Sequence, residues 1–202
     1  MIYKPGYNDV PGKASMFDSQ CDLAALVYDK HEDPDQVLRD FAAALNGQGF
    51  RAVGLVQLGH HCVEATLSAM LVHTGEKLSL FQDLGSCSTG CRLDVGQLLG
   101  AGQQIATAID AGADLLIVNR FGRQEREGKG LSYLVERALS ADIPVVIAVP
   151  SHRFADWIEF ADGMSVKLPC HREALDGWWS AVSARNGGVA ARVQQSFCEV
   201  LK

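Results

Sequence analysis

The chain has no apolar stretch long enough to cross a bilayer. Its opening residues, MIYKPGYNDVPGKASMFDSQ, lack the apolar core of a secretory signal. Positive charge is also in short supply. There are 18 Lys and Arg against 24 Asp and Glu, a net charge of −6 and a pI near 5.5. Binding to nucleic acid needs a basic face, so this balance argues against it. No internal repeat and no low-complexity linker interrupts the chain. No G-x-S-x-G elbow is present, and Ser86, Ser88 and Thr89 neighbour histidines only in composition, so no catalytic triad is assigned. These absences leave the expectation of a cytoplasmic protein without membrane insertion. Its six cysteines, Cys21, Cys62, Cys87, Cys91, Cys170 and Cys198, are then expected to be mostly reduced.

What is present fits one globular domain: 202 residues with 48% hydrophobic content. Residues 1–20, rich in Gly, Pro and polar side chains, read as a flexible arm preceding a single α/β domain over 21–202. Four apolar runs read as buried strands: 21–28 (CDLAALVY), 52–57 (AVGLVQ), 115–118 (LLIV) and 144–150 (PVVIAVP). Helical stripes lie between them. One starts at Pro34 with Asp33 as its cap and ends at Gly47–Gly49. Others cover 95–111, 131–141 and 154–161. Residues 64–73 and 77–82 flank Thr74-Gly75 and read as an antiparallel hairpin. Residues 164–167 read as a short strand, and 172–202 as two helices broken near Asn186.

Buried runs alternating with helices predict a mostly parallel sheet with helices on both faces, a P-loop-like or Rossmann-like three-layer sandwich, with the hairpin extending one edge. Sites in such sheets lie at the carboxyl ends of the strands. Here those ends are residues 29–35, 57–61, 119–130 and 150–152.

Two parts of a nucleotide hydrolase are missing from these positions. The loop after the first strand is YDKHEDPD, where a phosphate-cradling G-x-x-x-x-G-K-[ST] would stand. The third strand ends in Asn119-Arg120, where such an enzyme keeps the acid that manages magnesium. Both losses argue against standard P-loop hydrolysis of ATP. Asp29, Glu32, Asp33 and Asp35 with His31 read either as a solvated acidic helix cap or as a cation site.

The loop after the third strand offers a different chemistry. Asn119 and Gln124 can donate and accept hydrogen bonds, and Arg120, Arg123, Arg126 and Lys129 can bind oxyanions. Gly122, Gly128 and Gly130 allow the backbone to approach a ligand. The competing reading is a solvated loop with internal pairs through Glu125 and Glu127. Sulfur and imidazole form another candidate. His60, His61 and Cys62 follow the second strand, and Cys87 and Cys91 precede a helix. If these loops meet, they can hold zinc or another soft metal; otherwise the cysteines are inert. Cys91, near a helix start, is a candidate reactive thiol. Trp178-Trp179 is a candidate homodimer anchor or part of the chain's own core.

Several motifs carry a resemblance. They are Ala25-Leu26-Val27-Tyr28 before Asp33-Pro34-Asp35, then Gly54-Leu55-Val56-Gln57, Gln82-Asp83-Leu84-Gly85 and Gly90-Cys91-Arg92-Leu93-Asp94. Asn119 to Glu125 (NRFGRQE) and Gly128-Lys129-Gly130-Leu131 complete the set. On these the chain resembles the bacterial domain-of-unknown-function family 2478, over residues 23–169. That resemblance implies no settled activity, only a loose association with molybdate transport. The order of elements is similar, more distantly, to the thermophile-phosphohydrolase type of P-loop nucleoside triphosphatases.

The expectation is therefore a degenerate P-loop-like domain that binds a small anion (phosphate or molybdate) or a nucleotide. Arg92, Asn119, Arg120, Arg123, Gln124 and Lys129 would form the site. The alternatives are a hydrolase with a rebuilt site, in which Asp29, Asp33 or Glu125 holds the metal, and a metal module built on His60, His61, Cys62, Cys87 and Cys91.

Overall fold

The computed structural model describes residues 21–58, 68–80 and 94–185. Its centre is a seven-stranded sheet. In chain order the strands are β1 (Leu23–Tyr28), β2 (Ala52–Leu58), β3 (Ser68–Leu71), β4 (Lys77–Ser79), β5 (Leu115–Val118), β6 (Val145–Pro150) and β7 (Val166–Pro169). Across the sheet they run β4-β3-β2-β5-β6-β1-β7. The five strands from β2 to β7 are parallel, and the β3–β4 hairpin adds to β2 antiparallel. The chain leaves β1 and passes over two strand positions to reach β2. It later returns to the other side of β1 as β7, so the strand order reverses at β1.

The apolar runs are continuous because both faces of the sheet are covered. Alternate residues feed two cores. Ala25, Val27, Leu116, Val118, Ile147 and Val149 face helices α2 (Val95–Asp110), α4 (Ser132–Ser140) and α5 (Phe154–Phe160). Ala24, Leu26, Leu115, Ile117, Val146 and Ala148 face α1 (Pro34–Gly47) and α6 (Arg172–Arg185). β2 and β5 approach so closely that a Cβ on Gly54 would lie 1.9 Å from the Ile117 carbonyl oxygen; Gly54 also has φ +134°. Only glycine fits that position.

Helix starts follow their caps. Asp33 accepts from the Gln36 N–H at 3.0 Å, and Asp94 accepts from the Gln97 N–H at 3.0 Å. Two expectations are corrected. The strand placed at 164–167 is instead Val166–Pro169. The end of α5 absorbs the earlier residues in a turn with Asp162 and Gly163 at positive φ and the Met164 N–H bonded to the Ala161 carbonyl. A one-turn helix, α3 (Arg123–Arg126), precedes α4 where only a loop was expected. Of the two readings of Trp178-Trp179, packing in the chain's own core is the one observed. The two residues are 2% and 7% exposed, the Trp178 indole donates to the Cys21 carbonyl at 2.8 Å, and Trp179 meets Phe50 edge-on.

Residues 1–20, the Gly- and Cys-rich loop up to residue 93, and the second C-terminal helix expected after 185 lie outside the described residues. No helix among the described residues is long and apolar enough to cross a membrane.

Candidate functional site

The carboxyl ends of β1, β2, β5 and β6 share one edge of the sheet. At the end of β1, the acidic turn is tied up locally. Glu32 accepts from the Asp29 N–H at 2.7 Å, Asp33 caps α1, and Asp29 accepts from the Ser151 hydroxyl at the end of β6. Among the described residues no three His, Cys, Asp or Glu side chains converge to hold a metal. Within the acidic turn Asp33 therefore serves as a helix cap, and Glu32 and Asp29 are hydrogen-bonded locally.

At the end of β5 the loop is pinned from inside. Phe121 is fully buried, its N–H donates to the Ala148 carbonyl at 2.8 Å, and its ring packs at about 5 Å against Trp157 and Phe160. Glu125, 9% exposed, accepts from the Gly122 N–H at 3.0 Å and the Leu131 N–H at 3.4 Å. One carboxylate therefore closes the loop on itself, binding the start of α3 to the start of α4. Gly130 makes this closure sterically feasible. It has φ +61°, and a Cβ there would sit 2.5 Å from Glu125 Oε1.

The cations of this loop are matched by acids. Arg120 lies 3.4 Å from Asp35, a carboxylate only 2% exposed at the start of α1. It also stands 5.7 Å from the centre of the Tyr28 ring. Burial raises the Tyr28 pKa, and the nearby Arg120 charge partly opposes that rise. Arg123 and Lys129 share Glu127, at 2.9 and 3.2 Å. Those two hydrogen bonds hold the Glu127 carboxyl below the ordinary range. Arg126 pairs with Asp156 at 3.3 Å.

A cavity of about 300 Å³ opens between the ends of β2 and β5. Leu55, Leu80, Leu98 and Leu131 form its apolar floor, and Gln57, Ser68, Asn119, Arg120, Gly122, Arg123, Gln124 and the Glu125 carboxylate that closes the loop form its polar wall. Four of the six anion-site residues expected from sequence thus meet at one cavity. Lys129 lines a neighbouring groove with Gln124, Val95, Leu99 and Tyr133. Arg92, and all five of His60, His61, Cys62, Cys87 and Cys91, lie outside the described residues. Glu125 serves the backbone and Asp29 and Asp33 are bonded locally, so the rebuilt metal site proposed for them is not assembled.

Sequence reasoning marked the strand end at Gln57 without giving that side chain a role, and missed Ser68 as lining this cavity and Asp35 as the partner of Arg120. Gln57 carried a signal, since it stands at the polar end of a buried strand. Ser68 reaches the site only because the hairpin folds back against β2, where it pairs with Leu58.

The fold and this edge define a class: a three-layer α/β domain with a mostly parallel sheet, an antiparallel hairpin at one edge, and no G-x-x-x-x-G-K-[ST] loop after β1. In fold it is similar to the crystal structure of THEP1 from the hyperthermophile Aquifex aeolicus. The TM-score is 0.56 at 13% identity, covering 76% of this chain and 92% of that one. The chain belongs to the family described as protein of unknown function (DUF2478), whose model matches residues 23–178. It is also 37% identical over 167 residues to the molybdenum import ATP-binding protein ModC 2 of Bradyrhizobium diazoefficiens. That match covers 81% of this chain but only 18% of the relative, so the chain spans less than a fifth of that protein's length.

Proposed function

We propose that this protein binds a small anion or a nucleotide at the edge between β2 and β5, and binds it without standard P-loop hydrolysis. The observation that carries the reading is the convergence of Asn119, Arg120, Arg123 and Gln124 on one cavity at the carboxyl ends of parallel strands. Arginine forks suit oxyanions, and carboxamides complete their coordination with neutral donors. Binding without standard hydrolysis follows from the β1 loop, where Asp35 pairs with Arg120 and the glycines and lysine of a phosphate cradle are absent.

A role in molybdate or related oxyanion handling is supported by the relative named for molybdenum import, which contains a segment similar to this chain within a far longer polypeptide. The test is isothermal titration with molybdate, tungstate, phosphate and nucleotides, alongside phosphate release with magnesium. Heat with at least one anion, reduced in Arg123→Ala, and no phosphate release support the reading. No heat with any of them overturns it.

A further inference from the structure

We infer that the cavity between β2 and β5 takes a nucleoside monophosphate, held by its base as well as by its phosphate, in preference to a bare oxyanion. This rests on the anion- or nucleotide-binding reading above and narrows its ligand class.

The floor decides against a bare oxyanion. Leu55, Leu80, Leu98 and Leu131 are all less than 9% exposed and present hydrocarbon to the cavity. A tetrahedral anion bonded to the polar wall would leave this hydrocarbon floor unused. A planar ring buries its own apolar faces on the same floor. The volume agrees, since about 300 Å³ is at the small end of small-molecule sites.

The wall supplies the means to read a ring edge. Gln57 stands at the end of β2, Asn119 at the end of β5 and Gln124 on α3. Each carboxamide both donates and accepts, which matches the alternating donors and acceptors of a purine or pyrimidine edge. All three are half-buried. Among the described residues, no side-chain hydrogen bond engages any of them.

Charge sets the number of phosphates. Arg123 is 76% exposed and pairs with Glu127 at the surface. Such exposed pairs contribute little, so a ligand phosphate can compete with Glu127 for this guanidinium. Arg120 is already committed to Asp35, and Glu127 stands beside Arg123. One phosphate meets a cation here, whereas further phosphates would meet carboxylates. The phosphate-loop position after β1 has no part in this site; the proposed ligand lies between β2 and β5.

Calorimetric titration of the full chain with AMP, GMP, CMP, GTP, guanosine, inorganic phosphate and molybdate tests this. At least one monophosphate should bind about tenfold more tightly than phosphate, molybdate or guanosine, and GTP no more tightly than GMP. Gln57→Leu, which keeps volume, should weaken that monophosphate about tenfold and leave phosphate unchanged. Arg123→Met should weaken both. Circular dichroism and the thermal midpoint of each variant show that it is folded. If phosphate or molybdate matches every monophosphate, the inference fails and the anion reading stands. The inference also fails if GTP is tenfold tighter than GMP. If none of these compounds binds, both readings fail together.

Discussion

The guanidinium of Arg120 at the end of β5 lies 3.4 Å from the Asp35 carboxylate at the start of α1. The two side chains neutralise each other across the sheet edge. Asp35 is 2% exposed, so removing its cation would strand a buried charge. Arg120→Met is expected to lower stability by roughly 3 kcal/mol, and the double variant Arg120→Met/Asp35→Leu to recover much of that loss. Urea unfolding of the four proteins of the cycle measures the coupling; additive losses would show that the pair is not coupled.

Closure of the loop depends on Glu125. Glu125→Ala leaves the Gly122 and Leu131 amides without their acceptor and is expected to cost about 1–3 kcal/mol. Gly130→Ala should lower stability as well, because its Cβ would displace the same carboxylate and its φ is +61°. In both variants the Leu131 amide should exchange with solvent faster than in the parent protein. Unchanged exchange would show that Glu125 does not close the loop.

The hairpin carries a pH dependence. Burial pushes His73 below its ordinary pKa of 6.5, and nearby Glu76 only partly offsets this. Its Nδ1 is buried without a hydrogen-bond partner. The folded pKa lies below the unfolded one, so the unfolded chain takes up the proton first. Stability from this group is complete above about pH 6.5 and declines as pH falls below that value. Monitoring the His73 ring by NMR while stepping the pH downward should give a midpoint under the free-histidine value, and His73→Gln should flatten the stability change over that window.

Cys170 should be chemically quiet. Burial, reinforced by Glu32, Asp33 and Asp35, pushes its thiol up to about 12. The thiolate is the reactive form, so alkylation by iodoacetamide in the folded protein at pH 8 should spare Cys170. Mass spectrometry of the labelled peptides reads this directly, and rapid labelling would contradict the burial of this residue.

Much of this was legible before any coordinates. The four buried runs and the Asp33–Pro34 helix start were readable because each follows from local chemistry: apolar continuity, a capping carboxylate and a proline that needs no N–H donor. The loop 119–130 was readable as a polar strand end because a buried strand ended abruptly in polar and glycine residues, and Asn119, Arg120, Arg123 and Gln124 with Leu55 and Leu98 line one cavity. What escaped was non-local. No pattern within the loop says that Glu125 would serve two amides, or that Arg120 would meet a carboxylate 85 positions earlier. The competing reading of internal Arg–Glu pairs also proved partly right, since Glu127 holds both Arg123 and Lys129. For the tryptophan pair the sequence left two readings open, because helical spacing alone does not say which core a face will meet.

Glu127 provides the most direct test of the account. It pairs with Arg123, a cation of the cavity wall, and with Lys129 of the neighbouring groove, so it competes with an incoming anion for both. Titration of phosphate and molybdate into the parent protein and Glu127→Gln, at low and high salt, measures that competition. If the loop holds an anion, Glu127→Gln should bind about two- to fivefold more tightly at low salt, with the gain shrinking as salt is added. Equal or weaker binding by the variant would contradict the anion site.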